Sequence, residues 1–240
     1  MKVIVTKNYE EMSKEAAKIL LAVVKEKPDA VLGLATGSTP IGTYREMIAD
    51  HEKNGTSYRR IRTVNLDEYA GLDENSDQSY VYFMRKNLFD FLDIDVANTN
   101  IENGKAEDRE KECERYNALL HEMQQDVQIL GIGSNGHIAF NEPGTPFGSE
   151  THIVDLTEST IKDNSRLFAR IEDVPRQAFT MGLKNIMNAK KIVILANGKN
   201  KAKAVYGLVK GPVTEDLPAS VLQLHPDCTV VIDEEAASLL

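Results

Sequence analysis

The sequence predicts an α/β fold in which helices cover both faces of an open, mostly parallel and twisted sheet. Short apolar segments alternate with amphipathic helical segments from one end of the chain to the other, as in consecutive βαβ units. A length of 240 residues fits one such domain, and no fixed-period repeat or linker divides it. We therefore expect a single three-layer, Rossmann-like domain over residues 1–240.

The elements can be placed in chain order from their apolar spacing. Residues 9–26 carry apolar side chains at helical intervals, and Ala30–Leu34 is expected to be a buried strand. Thr39 and Pro40 fit the N-cap and first position of a helix that should run to about Lys53. Further strands are predicted at Ile61–Leu66, Val127–Ile132, Lys191–Ala196 and Thr229–Ile232, and further helices after Ser79, near 106–122 and over 200–209.

The stretch from about 143 to 176 is the least regular part of the chain. It mixes turn residues with one helical pattern near 158–168. Segments of this kind often carry function, and some close over a bound substrate. We therefore regard 143–176 as a candidate lid.

Composition argues against several classes of function. The formal net charge is −9 and no basic run occurs, which disfavours a nucleic-acid or anionic-membrane surface. No apolar run approaches the roughly 20 residues that span a bilayer, and the N-terminus does not resemble a signal peptide. Cys113 and Cys228 lack metal-type spacing, so we interpret them as buried, reduced thiols and expect a cytoplasmic protein.

Polar, mostly glycine-containing segments follow four of the predicted strands. In an open α/β sheet, ligands bind outside the carboxyl ends of the strands, so these segments should converge although they are far apart in sequence. They are Ala35–Pro40, Asp67–Tyr69, Gly133–His137 and Asn197–Lys201.

The first of these segments suits a phosphate group. Gly37 lets the backbone approach a ligand closely, Ser38 and Thr39 offer hydroxyl donors, and the following helix would direct free N–H groups at the loop. The segment matches neither a Walker A loop nor G-x-G-x-x-G, so it does not imply a nucleotide. An ordinary strand-to-helix turn capped by Thr39 would contain the same residues.

The second segment begins with Asp67, directly after a strand. A carboxylate there fits a general base whose pKa is adjusted by partial burial, and it fits an ordinary helix cap equally well. Glu68 should point away from the side that Asp67 faces, so only one of the two is expected in a site.

The third segment contains His137, the only one of five histidines in a glycine-rich strand exit. A neutral imidazole with a carboxylate nearby, here Glu142, can take up and return protons near neutral pH. A metal site is the competing explanation, but the chain has no H-E-x-x-H motif or cysteine cluster to support one.

Three stretches, Leu32–Pro40, Asn65–Tyr69 and Gly131–Pro143, together carry a family resemblance. They are similar to the glucosamine-6-phosphate deaminase family, also called the glucosamine/galactosamine-6-phosphate isomerase family. The likeness continues through Gly198–Ala202 and Leu222–His225 and covers nearly the whole chain. The stretch G-x-G-x-x-G-H-I-A-F-N-E-P is the most specific, whereas sugar-phosphate lactonases of the same superfamily also carry a G-S-T-P turn.

The resemblance implies a cofactor-free reaction of glucosamine 6-phosphate with water that gives fructose 6-phosphate and ammonium. It implies that Asp67 moves a proton between C2 and C1, that His137 opens the sugar ring, and that Glu142 is the partner of His137. Asn135 matches a further catalytic position. The phosphate-binding positions that it implies are Gly37, Ser38, Thr39, Arg166 and Lys201.

Two features depart from parts of the family. Some members have Asp where this chain has Asn135, completing an Asp–His–Glu relay. An amide carries no negative charge, so Asn135 can orient His137 but should raise its pKa less. The chain also ends at Leu240, where longer, allosterically regulated members continue, and the resemblance therefore implies a monomer or small homo-oligomer without that regulation.

Two other functions compete with this interpretation. A 6-phosphogluconolactonase would share the fold and the phosphate loop, but the deaminases carry Asn65–Tyr69 and Asn141–Pro143 and the lactonases do not. A non-catalytic sugar-phosphate sensor would have no use for His137 beside Glu142. We therefore expect an enzyme that binds a small sugar phosphate, without a nucleic-acid or membrane partner.

Overall fold

The computed structural model describes residues 1–156, 161, 170 and 174–240. Its strands are β1 (Lys2–Thr6), β2 (Val31–Leu34), β3 (Arg62–Asn65), β4 (Asp67–Tyr69), β5 (Thr99–Asn100), β6 (Val127–Gly131), β7 (His152–Asp155), β8 (Gln177–Thr180), β9 (Ile192–Ala196) and β10 (Cys228–Asp233). Its α-helices are α1 (Tyr9–Glu26), α2 (Ile41–Asn54), α3 (Tyr80–Asn87), α4 (Arg109–Glu122), α5 (Leu183–Met187) and α6 (Ala202–Lys210). Short 3-10 helices occur at Phe89–Phe91, Val96–Asn98, Lys199–Lys201 and Pro218–Leu224.

Seven of the described strands form a main sheet in which every neighbouring pair is parallel. Their order is β1-β10-β9-β6-β2-β3-β5. From β2 the chain proceeds to β3 and β5, whereas from β6 it proceeds in the other direction to β9 and β10. The strand order therefore reverses between β2 and β6, and the crevice at their carboxyl ends is the place where a ligand is expected.

Apolar strands form the centre of the main sheet, as the sequence predicted. Every residue of β2, β9 and β10 is buried, which is typical of parallel strands with helices on both faces. Helix α1 contributes Met12 and Leu20 to the same core. It begins after Asn8, whose side chain accepts the N–H of Glu11 at 2.9 Å and caps the helix.

The start of α2 differs from the prediction. The helix begins at Ile41, and Pro40 occupies the N-cap position with the helical angles φ −79° and ψ −10°, so the prediction that Thr39 caps this helix was wrong. Proline fixes φ near the helical value, which lets the turn form without a capping side chain. Instead, the hydroxyl of Tyr9 accepts the N–H of Gly42 at 2.8 Å.

A second, antiparallel sheet with the order β4-β8-β7 was not predicted. Its strands have only three or four residues each, too few to show the alternation by which a strand is recognised in a sequence. Strand β1, which pairs with β10 at one edge of the main sheet, was missed as well.

The candidate lid, 143–176, contains β7, which pairs with β8 in the small sheet. Residues 157–160, 162–169 and 171–173 lie outside the described part of the chain. Closure of this segment over a substrate therefore stays a prediction.

Two expectations from composition can be compared with the structure. Cys113 and Cys228 are both buried and free, as predicted. No helix among the described residues is both long enough and apolar enough to cross a membrane.

Candidate active site

A cavity of about 410 Å³ lies at the carboxyl ends of β2, β3, β6 and β9. All four polar segments identified in the sequence contribute to it, so their predicted convergence is confirmed. The lining residues are Ala35, Thr36, Gly37, Thr39, Leu66, Asp67, Tyr80, Gly131, Ile132, Gly133, Ser134, His137, Ala139, Phe140, Asn200 and Lys201.

One end of the cavity carries a positive charge next to a glycine loop. Lys201 is half-buried there, and burial lowers the pKa of its ammonium group below the usual value. Among the described residues, no carboxylate forms an ion pair with Lys201, so its charge is available to an anion. Gly37 has φ 89°, in the left-handed region that glycine adopts without strain. Together with Thr39, these residues form a suitable anion site.

The loop that contains Gly37 is held by Tyr9 of α1. The Tyr9 hydroxyl donates to the carbonyl of Ser38 at 3.0 Å, in addition to accepting the N–H of Gly42. Ser38 itself is exposed beside the cavity rather than in its lining. Arg166, the other cation predicted to bind phosphate, lies outside the described residues.

Asp67 stands where the chain leaves the main sheet. The Leu66 N–H still donates to Leu34 in β2 at 3.2 Å, whereas Asp67 already pairs with Thr180 of β8 in the small sheet. The Asp67 side chain lines the cavity and is only 7% exposed. None of the described residues hydrogen bonds to its carboxyl, and burial, followed by the nearby Glu68, raises its pKa from 3.8 to about 8.

Glu68 points to the other face of β4, as predicted. It is 1% exposed and does not line the cavity. Its carboxylate accepts the backbone N–H groups of Tyr69, Tyr80 and Val81 at 2.8–3.1 Å. Burial raises its pKa to about 7, although these hydrogen bonds act in the opposite direction.

His137, Glu142 and Asn135 form a connected polar group across the cavity from the strand exit of β3. His137 Nδ1 lies 3.4 Å from Glu142 Oε1. The Asn135 amide donates to Glu142 Oε2 at 2.7 Å, and its oxygen accepts the backbone N–H of His137 at 3.2 Å. The His137 imidazole holds the pKa of the Glu142 carboxyl below its usual value, with a smaller contribution from Asn135. Glu142 is therefore the anionic partner of the histidine.

The loop around His137 is tightly packed. Gly133 donates its N–H to the His137 carbonyl at 2.9 Å, and a Cβ atom added at Gly133 would lie 2.6 Å from His137 Nε2. Ala139 has φ 53°, a left-handed conformation that is uncommon for a residue with a side chain. The absence of a side chain at Gly133 thus leaves the space that the imidazole occupies.

An aromatic group closes the side of the cavity near Asp67. The rings of Tyr80 and Phe140 both line the cavity and stack with an interplanar angle of 9°. Tyr69 packs against both, with ring centroids 4.8 Å from Tyr80 and 6.0 Å from Phe140. Thr180, opposite Asp67 in the small sheet, accepts the Phe140 N–H at 3.1 Å. Tyr80 and Phe140 were missed as site residues in the sequence, because nothing in their spacing distinguishes them from ordinary core or loop residues. Thr36 and Asn200 lie in segments that were predicted to converge here, but neither was singled out.

The arrangement can transfer protons at two places on one small ligand. Asp67 offers a carboxyl that holds its proton up to an unusually high pH, and His137 with Glu142 offers a second acid–base pair. The cationic loop end could bind a phosphate or carboxylate group of the same ligand. Of the predicted site residues, the structure brings Asp67, His137, Gly37, Thr39 and Lys201 into the lining, and attaches Asn135 and Glu142 to His137.

Relatives of known name match the full length of the chain. The protein of Geobacillus sp. (strain WCH70) named glucosamine-6-phosphate deaminase is 53% identical over 241 residues, which cover all of this chain and 96% of the relative. Glucosamine-6-phosphate deaminase 1 of Bacillus subtilis (strain 168) is 51% identical over 240 residues, which cover all of this chain and 99% of the relative.

Solved structures also match over the full length of the chain. A monomeric glucosamine-6-phosphate deaminase is 51% identical to this chain and superposes with a TM-score of 0.97 over the full length of both chains. The 6-phosphogluconolactonase of Trypanosoma brucei is 20% identical, with a TM-score of 0.81 over 100% of this chain and 98% of that chain, which shows a shared fold alone. Residues 6–231 match the family model described as glucosamine-6-phosphate isomerases/6-phosphogluconolactonase, and the chain therefore belongs to this family.

Proposed function

We propose that this protein is a glucosamine-6-phosphate deaminase, which converts glucosamine 6-phosphate and water to fructose 6-phosphate and ammonium. The observation that carries the proposal is that one cavity contains both the buried Asp67 carboxyl and the His137–Glu142 pair. Full-length relatives that bear this name and share about half of their residues with the chain support it.

His137 is suited to open the sugar ring. In that step the proton of the C1 hydroxyl is removed, the bond between C1 and the ring oxygen breaks, and the ring oxygen takes up a proton. An imidazole can accept the first proton and deliver the second, because it exchanges protons near neutral pH. Glu142 stabilises the transient imidazolium, and Asn135 holds the Glu142 carboxylate in place through their 2.7 Å hydrogen bond.

Asp67 is suited to the proton transfer that follows. In the open chain, the C2 proton lies between the C1 aldehyde and the C2 amine and is therefore acidic, so no cofactor is needed to activate it. Ionised Asp67 removes this proton while the C1 oxygen takes up a proton from water, which gives an enolamine. Asp67 then returns its proton to C1 and the amine releases one to water, which leaves an imine at C2. A carboxylate with a pKa of about 8 is a much stronger base than an ordinary one.

Hydrolysis of the imine completes the reaction. Water adds to C2 and the C–N bond breaks, which releases ammonium. A ketone remains at C2, and the product is fructose 6-phosphate. The phosphate would remain at the loop of Gly37, Ser38 and Thr39 with Lys201, and we propose that Arg166 adds a bidentate contact to it.

We further propose that the protein acts as a monomer in the cytoplasm. The solved deaminase that superposes over the full length is monomeric, and two buried, free thiols fit a reducing compartment.

The direct test is to incubate the purified protein with glucosamine 6-phosphate and to measure ammonium and fructose 6-phosphate in parallel. We expect the two products in equal amounts, and at least about a hundredfold less of both with an Asp67→Asn control. Hydrolysis of 6-phosphogluconolactone without ammonium release from the amino sugar would indicate a lactonase instead. Binding without turnover of either compound would indicate a sensor.

A further inference from the structure

Glu68 is a buried charged group to which the proposed reaction assigns no role. It follows Asp67 directly in β4, but its side chain lies on the opposite face of the strand and is 1% exposed. A buried carboxylate needs partners, because an unpaired charge away from water is strongly unfavourable. The partners of Glu68 identify what it holds together.

These partners are backbone N–H groups, two of which belong to the first turn of α3. Glu68 Oε1 and Oε2 each accept the Tyr80 N–H at 3.0 Å, and Oε2 also accepts the Val81 N–H at 3.1 Å. The third free N–H of this turn, that of Tyr82, is capped separately by the Ser79 hydroxyl at 3.0 Å. Glu68 therefore caps α3 from a different element of the fold, at the helix end where a negative charge is favourable.

The helix position that Glu68 caps carries a cavity residue. The Tyr80 ring lines the cavity, and it packs against Phe140 and Tyr69. One peptide unit thus separates Asp67 from the carboxylate that fixes the start of α3. The backbone of β4 and the first turn of α3, from which the Tyr80 ring projects, cannot move apart without breaking the hydrogen bonds of Glu68.

We propose that Glu68 is a positioning residue, whose carboxylate ties the first turn of α3 to the strand that carries Asp67 and so keeps the Tyr80 ring in the cavity wall. This inference rests on the proposed function, because it takes Asp67 as the base of the deamination. Beyond the residues of the proposed reaction, it gives a role to Glu68, which contacts no substrate and acts through Asp67 and Tyr80.

Glu68 also acts on Asp67 through its charge. Burial is the main reason that the pKa of Asp67 is raised, and the neighbouring Glu68 carboxylate raises it further. Burial also holds the pKa of the Glu102 carboxyl well above its usual value and that of the Tyr80 phenol well above its usual value. The titratable groups around Asp67 are Tyr44 of α2, Glu68, Tyr80 of α3, Glu102 after β5 and Tyr116 of α4, with His137 and Lys201 in the same cavity.

The test compares Glu68→Gln with Ser79→Ala, a matched control that removes the other cap of the same turn. Ammonium release from glucosamine 6-phosphate is measured from pH 5 to 9 for both variants and the wild type. For Glu68→Gln we expect kcat to fall about tenfold to hundredfold with KM within threefold. The acidic limb of its kcat/KM pH profile should shift to lower pH by about one unit, because removing the charge of Glu68 lowers the pKa of Asp67. For Ser79→Ala we expect a lower Tm, kcat within twofold and an unchanged pH profile.

A second variant separates the effect of the Glu68 charge from the effect of its side-chain length. Glu68→Asp keeps the charge but shortens the side chain, so kcat should fall while the acid limb stays at the pH of the wild type; it also serves if the glutamine variant does not fold. A folded Glu68→Gln with the kcat and pH profile of the wild type would overturn the positioning role alone. A wild type that releases no ammonium would overturn the proposed function, and the inference with it.

Discussion

Replacing Asp67 with Asn should remove activity and make the protein more stable. The folded protein holds the Asp67 proton up to a pH of about 8, whereas an ordinary aspartate loses it near 3.8. Between these values only the folded state keeps the proton, so each pH unit lowers the free energy of unfolding by about 1.4 kcal/mol. Below pH 3.8 this loss is absent, and above about 8 it is complete.

Asparagine resembles the neutral carboxyl and does not titrate. The variant should therefore exceed the wild type in free energy of unfolding by about 1 kcal/mol at pH 4.5 and on the order of 4 kcal/mol at pH 7. Its kcat should fall at least about a hundredfold with a modest change in KM, because it cannot take up the C2 proton. In the wild type, kcat/KM should rise with pH up to about 8, as the ionised base accumulates.

The assay pairs urea unfolding at pH 4.5 and 7 with ammonium release by the same samples. An unchanged kcat in a folded Asp67→Asn variant would exclude Asp67 as the base. A stability difference that does not grow with pH would show that burial does not raise the pKa of Asp67 as the structure indicates.

Three further changes follow from the same geometry. Gly133→Ala places a methyl group on the His137 ring and should lower kcat at least about tenfold, whereas Gly148→Ala, outside the cavity lining and with no atom within 4 Å of an added Cβ, should stay within threefold. Lys201→Ala should raise KM for glucosamine 6-phosphate more than about tenfold with little change in kcat; the reverse pattern in initial-rate kinetics would contradict a phosphate contact. Glu102 is 1% exposed, and neither of its carboxyl oxygens has a hydrogen-bond partner among the described residues. Glu102→Leu should therefore raise the free energy of unfolding by about 1–3 kcal/mol at pH 8, and urea unfolding without a gain would contradict this.

The position of the site could be predicted from the sequence because it depends on chain direction. The apolar strands before Gly37, Asp67 and His137 are easy to recognise, and parallel strands bring their carboxyl ends to one edge. The opposite orientations of Asp67 and Glu68 followed from the two-residue period of a strand. Neither prediction required knowledge of tertiary contacts.

The surroundings of the site depend on such contacts and were not predictable. Tyr80 follows a helix cap and Phe140 follows a turn, and nothing local shows that their rings stack beside Asp67. The assignment of Thr39 as a cap was wrong because the helix begins at Ile41, with Pro40 in the N-cap position and no side chain capping it. Roles that depend on Arg166 and on closure of 143–176 stay predictions.

Because the molecule has two sheets, its global stability and the local order of the strand that carries Asp67 depend on different strands. Asp67 belongs to β4, an edge strand bonded only to β8 in the three-stranded sheet, whereas the largest apolar core is built on the seven-stranded sheet. A sheet of three short strands can open locally at a lower free energy than the global unfolding of the large core. Substitutions that strengthen the central strands would therefore raise the free energy of global unfolding without changing how readily β4 opens locally and displaces Asp67.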